Sequence, residues 1–102
     1  MALTKTFVKS RSLYKVAFTL PAEAVVETKK VALLGDFNNW NPEEGIALKK
    51  QKDGSFKGIV ELTSGEYQFK YLLDNEKWEN DWAADKYVPA GVNAEENSVV
   101  VL

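Results

Sequence analysis

An all-β sandwich is the fold class this sequence predicts, and three observations carry it. Short apolar runs alternate with a period of two, turn-forming clusters separate them, and no segment sustains a 3.6-residue period. About six to eight short strands of this kind fit a sandwich, with a small closed barrel as the structural alternative. At 102 residues the chain makes one domain with one modest core. Residues 1–11 are expected to be an N-terminal arm or edge segment, and residues 12–102 the sandwich itself.

The arm contributes little pattern, although Phe7 and Val8 are placed to extend an edge. LYKVAFTL at 13–20 alternates cleanly, with Tyr14, Val16, Phe18 and Leu20 on one face. Pro21 ends it, because proline has no amide hydrogen for a ladder. PAEAVVETKK reads as a long connection with room for a single helical turn. KKVALL at 29–34 is the second strand, too apolar at its end to have a wet face, and Gly35 stops it.

A shorter strand follows near residues 46–50, before the turn signal KDG at 52–54. SFKGIVEL at 55–62 puts Phe56, Val60 and Leu62 on one face, thinned by Gly58. TSGE at 63–66 is the next turn. YQFKYLL at 67–73 is the clearest two-faced strand: Tyr67, Phe69, Tyr71 and Leu73 enter the core, while Gln68, Lys70 and Leu72 face away. A turn at 74–76 leads to Lys77 and Trp78. KYV at 86–88, bounded by Pro89, and SVVVL at 98–102 complete the set.

Composition removes several functions. The chain has no cysteine and no histidine, which excludes disulfides, thiol chemistry, zinc sites built on sulfur or imidazole, and the usual general base near neutral pH. A net charge of -2 from 13 basic and 15 acidic residues lacks the concentrated basic patch of a nucleic-acid binder. No apolar run approaches a membrane span, and the N-terminus lacks the pattern of a secretory signal, so a cytoplasmic protein without membrane or nucleic-acid partners is expected.

The five serines have no histidine to activate them, and no glycine-rich phosphate loop occurs. The carboxylates fall mostly in turns and beside lysines, where solvation is their ordinary role, so the chain is expected to be no enzyme and to need no cofactor. Oxygen ligands in DNEKWENDWAAD at 74–85 lack the spacing of a calcium loop.

Aromatic residues in polar, loop-prone settings remain. The C–H face of a sugar ring lies flat on an indole, while its hydroxyls seek amides and charges at the rim. Trp40 stands among Asn38, Asn39 and Asn41, and Trp78 beside Asn75, Lys77 and Asn80. Lys70 lies on the face of its strand turned away from the core, so two tryptophans with a lysine between them make a platform for a linear glucan. Trp82 is expected to be structural.

GDFNNW at 35–40, GEYQFKYLLD at 65–74, Trp78 and ENSVVVL at 96–102, in this order and spacing, resemble the glycogen-binding module family. This is family 48 of the carbohydrate-binding modules, found in the beta subunit of AMP-activated protein kinase and in the N-terminal domains of isoamylases and branching enzymes. The chain is especially similar to stand-alone bacterial proteins with an isoamylase early-set domain. The resemblance covers about residues 12–102 and implies an immunoglobulin-like early-set sandwich that binds α-1,4-linked glucan, such as glycogen or malto-oligosaccharide, without cleaving it. It implies stacking by Trp40 and Trp78 and hydroxyl contacts from Lys70, and Asn39, read from its place beside Trp40, is expected to help orient hydroxyls.

Where the family has a pair of asparagines before its last strand, this chain has Glu96 and Asn97, which puts the ligand position on Glu96. PAGVNAEE at 89–96 lacks the leucine that wraps the sugar chain, with Val92 a partial replacement, and Trp82 takes a place where proline is frequent. The alternative reading is a protein-interaction domain that docks onto a glucan-metabolising enzyme through the ladder-ready strand SVVVL.

Overall fold

A computed structural model describes residues 2–89 and 95–102, apart from the side chain of Ala2. The described residues form nine strands: β1 (Ala2–Val8), β2 (Leu13–Leu20), β3 (Val31–Gly35), β4 (Ile46–Lys50), β5 (Phe56–Leu62), β6 (Glu66–Leu73), β7 (Lys77–Glu79), β8 (Lys86–Pro89) and β9 (Glu96–Val101). All pairings are antiparallel, in the order β1-β2-β5-β4-β3-β6-β9-β8, with β7 also on β6. The sheet folds over on itself at β4, whose Lys49 and Lys50 pair with β5 while Ile46 to Leu48 pair with β3. The result is the all-β sandwich of immunoglobulin-like early-set type, curled into a half-barrel with β1 and β8 at its two ends.

Alternation builds the core. Val16, Phe18 and Leu20 of β2 meet Leu33 of β3 and Phe69 and Tyr71 of β6, all of them fully buried. Each such aliphatic or aromatic side chain contributes about 1.5–3 kcal/mol on leaving water. Phe18 and Phe69 meet edge to face, with centroids 5.1 Å apart, and Phe37 joins them at 6.3 Å from Phe18. Gly58 gives the folded corner its room, since a Cβ there would lie 2.2 Å from Cδ2 of Leu48.

Two features differ from the sequence expectation, which leaves a third between an arm and an edge segment. The N-terminal segment is a full strand, in register with β2 from Ala2 opposite Thr19 to Val8 opposite Leu13. Lys77 and Trp78, expected as the exit of a turn, belong to β7, which pairs with the end of β6. The C-terminal strand is not an edge, because β9 is paired with β6 on one side and β8 on the other. Its ladder is occupied, and docking through SVVVL loses its physical basis. The connection after Pro21 contains one short 3-10 turn, Ala22–Ala24. Val92 lies outside the described residues, and no helix among those residues is long and apolar enough to cross a membrane.

An ion pair ties β1 to the segment before β8. Nζ of Lys5 donates to Oδ2 of Asp85 at 2.6 Å, and the amide of Val101 donates to the same oxygen at 2.7 Å. Burial alone would raise the Asp85 carboxyl, but the Lys5 and Val101 hydrogen bonds and the Lys5 charge hold it below the usual carboxylate range. A carboxylate whose folded pKa is depressed stabilises the fold above its unfolded value, about 4, and loses that contribution as pH falls through the folded value.

Asp85→Asn is therefore expected to lower the melting temperature near neutral pH, with the gap to the parent narrowing below about pH 4. A gap independent of pH in paired thermal melts would contradict this. Gly35 makes the second prediction. Its backbone is extended, and a Cβ there would stand 2.4 Å from the carbonyl oxygen of Gln68 and 3.0 Å from the Phe37 ring. Gly35→Ala is expected to cost about 2–4 kcal/mol in urea unfolding, through forced separation of β3 from β6.

Candidate functional site

Gly35 begins a tight loop on the outer face of the β3–β6 sheet. The 3-10 turn Asp36–Asn38 follows, and Asn38 is buried with its amide fully used. Oδ1 of Asn38 accepts from the amide of Gly35 at 2.9 Å, and Nδ2 donates to the carbonyls of Leu33 and Glu44. Asn38 thus replaces the strand's missing ladder partners. Phe37 is the loop's anchor, packed on the core between Phe18 and Tyr67.

Asn39 and Trp40 then both adopt left-handed backbone, with φ of 55° and 58°. Asparagine tolerates that region, whereas a bulky residue is strained there. Two hydrogen bonds hold Trp40 in place: its amide donates to the carbonyl of Gly35 at 3.0 Å, and its Nε1 to Oδ1 of Asp36 at 3.0 Å. The other oxygen of Asp36 accepts from the amide of Gln68 at 2.8 Å, so one carboxylate ties the indole to β6.

Register supplies the other side. Leu34 pairs with Lys70 and Leu72 with Trp78, which puts all four on the outer face. That face is not uniformly wet, since Leu34, Leu72 and Val99 are buried outside the core between the layers. Trp40 and Trp78 stand 6.4 Å apart between ring centroids, with their planes at 53°. Together with Lys70, Glu95 and Asn97 they line a hollow of ≈ 210 Å³. The Lys70 side chain is only 12% exposed, and its Nζ lies 4.0 Å from Oε2 of the exposed Glu95.

Trp40, Lys70 and Trp78, separated by up to 38 positions in the chain (78 minus 40), therefore share one hollow. Asn39 is exposed on the loop before Trp40 and does not line it. Glu96 does not line it either. Alternation along β9 sends Asn97 to the Lys70 side, where its Nδ2 donates to Oε1 of Gln68 at 3.0 Å, and turns Glu96 the other way. Glu95, Asn97 and Asp36 are the residues the sequence reading did not assign to the site. Trp82 is 54% exposed rather than a core lid, and its Nε1 donates to Glu79 at 3.3 Å. A larger hollow of ≈ 430 Å³ opens between β4 and β5 around Lys49, Lys57 and Ile59, but no aromatic ring lines it.

A buried polar network sets the position of Trp78. Both β7 and β9 pair with the same edge of β6, and Asn80 fastens their meeting point. Its Nδ2 donates to the Glu96 carbonyl at 2.8 Å, while its Oδ1 accepts from the amide and hydroxyl of Ser98. The Ser98 hydroxyl accepts from the amide of Asp81, whose fully buried carboxylate receives the Tyr71 hydroxyl at 2.8 Å and the Ala83 amide at 2.8 Å. Burial first, then the charge and hydrogen bond of Asp81, push the Tyr71 hydroxyl far above its usual range, so it remains a donor.

These bonds also account for the acidic stretch at 74–85. Asp74 caps the amides of Lys29 and Lys30, Asp81 sits in the network, and Asp85 pairs with Lys5. No metal-binding group of three or more acidic residues occurs among the described residues.

An antiparallel sandwich with a tryptophan pair set over a lysine on its outer face has the build of a carbohydrate-binding module. The family model described as the glycogen recognition site of AMP-activated protein kinase matches residues 24–102, and the chain belongs to that family. It is also similar to 5'-AMP-activated protein kinase subunit beta-1 of Sus scrofa, at 38% identity over 53 residues. That stretch covers 52% of this chain and 39% of the kinase subunit, so the chain corresponds to less than half of that relative.

Tyr71→Phe is expected to cost about 1–3 kcal/mol in chemical unfolding, because it leaves one oxygen of a buried carboxylate without its donor. An unchanged unfolding midpoint would mean that the network does not fasten β6 to the segment after β7.

Proposed function

We propose that the chain is a non-catalytic module that binds α-1,4-linked glucan, in the form of glycogen, starch or malto-oligosaccharide. The observation that carries the reading is the Trp40–Trp78 pair, 6.4 Å apart and lining one hollow with Lys70. Membership of the glycogen-recognition family supports it. In this reading the two indoles stack on successive sugar rings and supply most of the hold. Lys70 donates to hydroxyls at the floor of the hollow, and the Asn97 amide and Glu95 carboxylate serve the rim. Asn39, next to Trp40 on its loop, reaches only sugar units beyond the stacked ones, and Glu96, turned to the other face, takes no part in this reading. The strained but doubly hydrogen-bonded Trp40 is set in advance, so little ordering is left for the sugar to drive.

Titration of the full chain with maltoheptaose, followed by indole fluorescence, is expected to give a saturable change at or below millimolar sugar. Trp40→Ala and Trp78→Ala are each expected to weaken binding at least about tenfold, as loss of a central aromatic anchor does. Their thermal melts should remain close to that of the parent, and Trp82→Ala, outside the hollow, should keep binding. No saturable response in the parent chain would sink the reading, and a large drop in melting temperature for either hollow variant would make that ring a structural one.

A further inference from the structure

Two charged residues line the hollow, and they are of opposite sign. Lys70, 12% exposed, lies at its floor, and Glu95, 72% exposed, stands at its rim with Oε2 4.0 Å from the Lys70 Nζ. The exposed Glu95 therefore offsets part of the lysine's charge before any ligand arrives. A second carboxylate, Asp36, sits directly behind Trp40 on its Nε1, and the whole chain carries a net charge of -2. Two carboxylates, Glu95 and Asp36, thus stand around the hollow against the one lysine that lines it.

Resting on the glucan reading of this same hollow, we propose that Glu95 sets its specificity, admitting neutral glucan and turning away glucan that carries phosphate. A carboxylate accepts through two oxygens, which suits the paired hydroxyls of a neutral glucose unit. A phosphate monoester brings about -1.5 to -2 charge and no matching donors. Placed on a sugar stacked at Trp40 or Trp78, it meets Glu95 and Asp36 with a single lysine, itself facing Glu95, to offset them. Asn97, with one of its two amide hydrogens given to Gln68, brings no charge to offset the phosphate.

The test uses the full chain, with maltoheptaose and a maltoheptaose bearing one glucose 6-phosphate, compared by calorimetry at low and high salt. The parent is expected to bind the phosphorylated chain roughly tenfold more weakly at low salt, with the difference shrinking as salt screens it. Glu95→Gln should bring the two ligands within about threefold, and Glu95→Lys should equalise or reverse them. Both variants change an exposed side chain, so unchanged melts serve as the control on folding. Equal binding of both ligands by the parent, or a penalty that persists in both variants, overturns the assignment of Glu95 and leaves the glucan reading intact. If neither ligand binds the parent, the glucan reading fails and this inference falls with it.

Discussion

A strand has two edges, and in β6 one of them has to serve two partners. β3 occupies the first along most of its length. On the second, β9 pairs with residues 66–69 and β7 with residues 71–73. Two strand ends meeting on one edge leave amide and carbonyl groups without ladder partners, and burial makes each such group costly. Asn80 and Ser98 answer that demand at the junction, and Asp81 with Tyr71 ties it to the core. The site follows from this arrangement. β7 brings Trp78 onto the outer face from one side, and the start of β9 brings Asn97 and Glu95 from the other, with Lys70 between them.

The loop from Gly35 to Trp40 solves a complementary problem with different means. Gly35 lets β3 lie against β6 without a side chain in the way, Phe37 drives one ring into the core, and Asn38 takes up the loose backbone bonds. What is left outside is Trp40, held from both its amide and its indole nitrogen. Asp36 acts on both sides of the site, since the same carboxylate that orients the indole also accepts from the β6 backbone.

Much of this was legible in the sequence because it depends on local periodicity. Residues 13–20 and 67–73 alternate so regularly that strand, face and core membership follow together. β1 was legible only as an arm or edge segment, because its inward positions read Leu3, Lys5 and Phe7, and a lysine in the middle breaks the pattern. Only the distant Asp85 makes that lysine sensible, as an inward charge that also guards an edge strand. β7, three residues long, is too short to show a period at all. Trp40, Lys70 and Trp78 were visible as polar-flanked aromatics and an outward lysine. Glu95 and Asn97 were not, because which residue of β9 faces Lys70 depends on register between segments far apart in the chain.

The tilt between the two indoles also has a geometric meaning. Planes at 53° with centroids 6.4 Å apart cannot both lie flush against a flat object. A ribbon-like polymer whose rings stay coplanar from unit to unit would rest on one indole and leave the other idle. A chain that turns at every linkage presents its successive rings at an angle to each other, as α-1,4-linked glucose does. In the proposed glucan reading, the curvature of the chain then counts as well as its chemistry.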